Sequence, residues 1–243
     1  MLEVSPPPLS RPAAVRADVA TPRFPPGSRG RVAHAVVAIL LRIPLQLAIL
    51  AVVVRIVPRD ELFTGSPRAL VAIAIATGVG TVITIHGGLL RVGRLTPRAI
   101  GWTFDTPARD VVVGLAAFAL WLIVQLAWSA AWGADVREMA AEVASFTPGQ
   151  RLLYLLIGIY AAITEESLFR GYLQPTLVAR LRFPAGVLVT ALFFALLHHQ
   201  FDALHMGSKI FGGLLLGLLR GRDSSLIRPA VVHTLQWAIL GFA

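Results

Sequence analysis

From Val32 to its end the chain alternates long apolar runs with short polar breaks, and this pattern constrains the fold more than any other feature. A helix needs about 20 mostly apolar residues to cross a hydrocarbon core about 30 Å thick. Lipid offers no hydrogen bonds, so such runs must close their own backbone bonds as helices. The predicted spans are Val32–Val57, Ala69–Leu90, Val111–Trp132, Leu152–Phe169, Ala185–His198, Ile210–Leu219 with its flanks, and Leu226–Ala243. Breaks such as Pro58-Arg59-Asp60-Glu61, Thr96-Pro97-Arg98 and Thr147-Pro148-Gly149 separate them. Met139, Val143 and Phe146 recur at helical spacing, which predicts a short interfacial helix over Arg137–Phe146. The expected fold class is therefore all-α: a polytopic membrane helix bundle of about seven transmembrane helices.

Composition agrees. Charged residues make up 14% of the chain and hydrophobic ones 56%, where an ordinary soluble domain carries about 25% charge. The net charge of +9 would suggest nucleic acid on a polar chain. On this one it reads as orientation, and no nucleic-acid partner is expected. Arginines crowd the N-terminal tail and alternate breaks, which favours a cytoplasmic N-terminus in a multi-pass protein of the cell membrane. Residues 1–31 carry Pro6, Pro7, Pro8, Pro12, Pro22, Pro25 and Pro26 and are expected to form a disordered cytoplasmic tail. Residues 32–146 form the N-terminal transmembrane helices, and residues 147–243 a second helical unit. Cysteine is absent, which removes disulfide scaffolds, thiolate metal sites and cysteine nucleophiles.

Of the acidic residues, only Glu165 and Glu166 are read inside a strongly apolar run. A charge at mid-bilayer costs about 2.5–3.5 kcal/mol on insertion scales, so two adjacent ones need a reason. Neighbours on a helix point about 100° apart and do different jobs. Glu166 and Arg170 are spaced to share a face and pair. Glu165 lies off that axis and is expected to face a cavity. His198 follows Phe194 by one turn, and His233 stands in the last apolar run. A carboxylate with imidazoles inside a membrane suits water activation, and the same groups are candidate metal ligands.

Glu165-Glu166-x-x-x-Arg170, Phe194-x-x-x-His198 and His233 after a Gly-rich run resemble the signature of the CPBP intramembrane protease family. That family includes CAAX-processing endopeptidases and Abi bacteriocin self-immunity proteins, and its members are usually labelled metalloproteases. The resemblance covers about residues 150–240. It implies a catalytic helix bundle over 147–243 and an endopeptidase that cuts a membrane-associated protein or peptide. By the same resemblance, Glu165 and His198 activate the water and His233 helps to stabilise the oxyanion, with Glu166, Arg170 and Phe194 in support. The cofactor stays open between a divalent metal such as zinc, held by Glu165, His198 and His233, and a glutamate-only mechanism. Where many members have Asn four residues after the final His, this chain has Trp237, and Gln236 could supply an amide beside it.

Other intramembrane hydrolases lack support. There is no HExxH, no Gly-x-Ser-Gly, and no Asp read within a span. The alternative readings are a catalytically inactive family-like membrane partner or immunity protein and, behind it, a proton-coupled transporter using the glutamate pair. His199 and His86 are read as structural. Gly213, Gly217 and Gly221 mark close helix packing. Trp102, Trp128 and Trp132 are read as interfacial anchors. Arg42, inside the first run, has no assigned partner.

Overall fold

The computed structural model describes residues 22–53, 55, 67–133, 135–198, 201–221 and 225–242. His199 and most of the expected tail lie outside the described residues. Helices α1 (Arg29–Val53), α2 (Pro67–Val82) and α3 (Pro107–Ala131) form the N-terminal part, with α2 running on as a π-helical stretch over Ile83–Val92. A short helix α4 (Val136–Ala144) stands where the interfacial helix is expected. Then come α5 (Pro148–Glu165), a π-helical turn (Glu166–Leu173), α6 (Gln174–Leu181), α7 (Phe183–Leu196), α8 (Ala203–Arg220) and α9 (Ile227–Phe242). No strand occurs among the described residues.

Arg29–Val52, Ala74–Val92, Pro107–Ala131 and the continuous helical stretch Pro148–Leu181 are long and apolar enough to cross a membrane. Large apolar side chains such as Leu41, Val52, Val112 and Ile123 stand exposed on these helices, as lipid-facing surface requires. The chain is a multi-pass membrane protein. The last three expected spans are helices too, but α7 holds only 14 residues and α9 16, short of a full crossing.

The main departure lies after Phe169. The sequence reading ends a span there, whereas the helix continues through the π turn to Leu181. The chain then reverses at Arg182, whose φ of 68° lies in a region that side-chain-bearing residues seldom occupy. The α6–α7 hairpin sets the level of the site. At about 1.5 Å per residue, Glu165 and His198 each stand roughly 23 Å from its tip. Phe169 and Phe194 meet across it edge to face, with ring centroids 5.1 Å apart. The Glu165 and His198 motifs, on successive helices, therefore come to one depth.

Capping and packing fix the other elements. Thr147 and Gln150 form a reciprocal capping box at the start of α5. A Cβ on Gly158 would lie 2.6 Å from the Trp237 Cβ, so glycine is what lets α5 and α9 approach. In α8, Cβ atoms on Gly213 and Gly217 would lie 3.1 Å from Ala191 and 2.8 Å from Val187 of α7, as the four-residue glycine repeat suggests. Residues 22–28, at the end of the expected tail, pack on the bundle. Phe24 lies against His34, and His34 Nδ1 is 2.8 Å from the Tyr172 hydroxyl.

One reading is corrected here. α3 begins at Pro107, earlier than expected, so Asp110 lies in its first turn, is 1% exposed, and falls within a candidate span. Its Oδ1 accepts from Arg228 Nε at 2.6 Å, which ties α3 to α9. A carboxylate at a helix N-terminus is favoured by the helix dipole.

Candidate active site

The two glutamates occupy the junction between α5 and the π turn and point to different partners. Such π-helical turns are frequent at functional sites. Glu166 and Arg170 are both fully buried and paired, with Nη1 3.2 Å from Oε1. Arg170 Nη2 also donates to the Gly213 carbonyl at 3.2 Å, and its guanidinium lies 4.3 Å from the Phe194 ring centroid. The spacing that predicts the ion pair thus holds, and Phe194 acts as a packing partner of the charge.

Glu166 Oε1 also receives His233 Nδ1 at 2.8 Å. The other ring nitrogen, His233 Nε2, is 3.7 Å from Glu165 Oε2. Glu165 Oε1 is taken by Arg42 of α1, with Nη2 at 2.5 Å. Each glutamate is therefore matched by one guanidinium, Glu165 by Arg42 and Glu166 by Arg170. Pairing of this kind is what makes buried charge tolerable. The sequence singles out Arg42 but not its partner, which lies 123 residues away.

His198, just past the end of α7, bonds through Nδ1 to the Phe194 carbonyl at 2.8 Å. A carbonyl only accepts, so Nδ1 carries the proton and Nε2 presents a lone pair in the neutral ring. His198, His233, Gln236 and Trp237 all line a cavity of about 490 Å³ between α3, α8 and α9. Glu165 is 8% exposed and is not part of that lining. Its Oε2 lies 3.7 Å from Nε2 of His233, which does line the cavity, so Glu165 adjoins the cavity through His233 instead of facing it directly as expected. Glu165 Oε2 is a buried oxygen with no hydrogen-bond partner among the described residues. Lys209 of α8 lines the same cavity, as do Ser208 of α8 and Gln125 of α3, which bond to each other at 2.7 Å.

The donor set is a poor fit for a divalent metal. Arg42 occupies one oxygen of Glu165, which leaves Oε2 of that residue, Nε2 of His198 and Nε2 of His233 as the atoms that could serve an ion. Among the described residues, no three His, Cys, Asp or Glu side chains are grouped so as to hold one ion.

The bundle and this buried polar cluster define a multi-pass membrane protein with a Glu/His site beside a largely apolar cavity. A family model described as type II CAAX prenyl endopeptidase Rce1-like matches residues 147–239. This segment contains every motif residue named above and is similar to that family of CAAX-type endopeptidases. No curated protein and no solved structure matches the chain.

Proposed function

We propose that the protein is an intramembrane endopeptidase that hydrolyses a peptide bond in a membrane-associated protein or peptide through a water activated by Glu165 with His198 and His233. The observation that carries this reading is the division of labour between the glutamates. Glu166 is spent on Arg170 and His233, while Glu165 keeps one buried oxygen free, 3.7 Å from His233 Nε2.

In this reading Glu165 takes a proton from water, and the resulting hydroxide adds to the carbonyl carbon. His198 Nε2 accepts from the same water and orients it. His233, steered by Glu166, faces the oxyanion through Nε2 and donates to it when the ring carries both protons. Gln236, one turn along α9, offers a second donor from its amide. Collapse breaks the C–N bond, and the proton held by Glu165 passes to the leaving amine. Proton transfer of this kind contributes about 10²–10⁴-fold to rate, and an oxyanion donor about 10²–10³-fold. No step is assigned to a metal. The reading places the protein in the cell membrane with its N-terminus cytoplasmic.

A second reading, a non-catalytic membrane partner or immunity factor, is favoured by Trp237, which fills the position where an Asn is usual. One comparison separates the two. Protein termini are mapped in membranes of cells carrying wild type or Glu165→Gln. The protease reading expects termini that appear only with wild type. Identical terminus maps with retained biological effect would establish the non-catalytic role.

A further inference from the structure

We propose that Arg42 is a positioning residue for Glu165, so that α1, outside the family-matched segment, completes the active site. The inference rests on the reading of Glu165 as the group that activates water. Arg42 Nη2 holds Glu165 Oε1 at 2.5 Å, and this leaves Oε2 as the oxygen turned toward His233. A carboxylate held at one oxygen by a guanidinium cannot rotate freely, so the geometry of the reactive oxygen is set from α1.

Arg42 is itself held. Its Nε donates to Gln46 Oε1 at 3.3 Å, one turn further along α1. Gln46 lies against α2 where a Cβ on Gly80 would come within 2.9 Å of Gln46 Cγ. Thr164, the residue before Glu165, bonds through its hydroxyl to Thr81 of α2. The side chains of Thr164 and Glu165 are therefore both tied to the N-terminal helices. Charge supports the same role. Arg170 is committed to Glu166 and to the Gly213 carbonyl, so Arg42 is the guanidinium bonded to Glu165.

The test uses the full-length protein in liposomes and an internally quenched peptide spanning a terminus that depends on Glu165 in cells. Wild type, Arg42→Gln, Arg42→Lys and Glu165→Gln are compared, each normalised to folded protein by size exclusion in detergent. The expected result for Arg42→Gln is a loss of kcat of about 10²-fold, the usual size for a misplaced reacting group, with KM unchanged. Arg42→Lys, which keeps the charge, should recover a substantial part of kcat. Arg42→Gln with wild-type kcat, or a loss that tracks only the amount of folded protein, overturns the inference while leaving the reading of Glu165 intact. Absence of any terminus that depends on Glu165 overturns that reading, and this inference with it.

Discussion

His233 Nδ1 lies 2.8 Å from Glu166 Oε1, a contact that spans 67 residues of sequence and joins α9 to the π turn after α5. The same oxygen pairs with Arg170. Glu166 thus serves as the hub of a buried network, and its neighbour Glu165 is left to a separate pair with Arg42. Two adjacent carboxylates have different partners because they leave the helix in different directions.

Glu166→Gln should cost stability more than Glu165→Gln. It leaves the fully buried Arg170 without a counter-charge, a change that typically costs about 3–5 kcal/mol. Arg42, the partner of Glu165, keeps its bond to Gln46 and is partly exposed. Thermal unfolding in detergent checks this. Equal melting temperatures for the two variants contradict it.

Asp110→Asn should lower stability without changing kcat in the protein that remains folded. The Asp110–Arg228 pair ties α3 to α9 on the buried side of Asp110 and takes no part in the proposed chemistry. The melting temperature should fall and kcat per folded molecule should stay at the wild-type value. A selective fall in kcat would place this pair in the site.

These residues differ in how far the sequence reveals them. The Glu166–Arg170 pair and the Phe194–His198 turn follow from local spacing, so both are legible in the chain itself. Helix identity is legible from the apolar runs. The place of the hairpin turn is not, because Arg182 is an unusual residue for positive φ and the expected break takes in the whole stretch from Phe169 to Ala185. Neither is the partner of Arg42, because its pair with Glu165 depends on how α1 meets α5. The start of α3 is obscured because Thr106-Pro107, a favourable helix start, also resembles the punctuation of a polar break, and this hides Asp110.

Gly158→Val should destabilise the packing of α5 on α9. A branched side chain there would meet the Trp237 Cβ and the Thr234 carbonyl, and overpacking of this kind costs about 1–3 kcal/mol. Combining it with Trp237→Gly, which removes that Cβ, should cost less than the sum of the two single changes, as coupled neighbours do. Strictly additive melting shifts would show that the two positions do not touch.

Exhaustive chelation should leave the hydrolytic rate near its starting value. Arg42 holds one oxygen of Glu165 and Glu166 serves Arg170 and His233, and no three acidic or imidazole groups among the described residues are grouped for a metal. The check is the rate in liposomes before and after dialysis against a strong chelator. A large loss that returns on adding one divalent ion contradicts the glutamate-centred account.

In the proposed reaction Glu165 activates the water that cleaves the peptide bond. This role is tested most directly by single-turnover hydrolysis in ¹⁸O-labelled water by purified wild type and Glu165→Gln in liposomes, on a peptide spanning the mapped terminus. Wild type should place one ¹⁸O atom in the new carboxyl terminus. Glu165→Gln should slow the reaction by about 10²-fold or more while remaining folded. A Glu165→Gln variant that cleaves at the wild-type rate, or a product without label, would contradict this role.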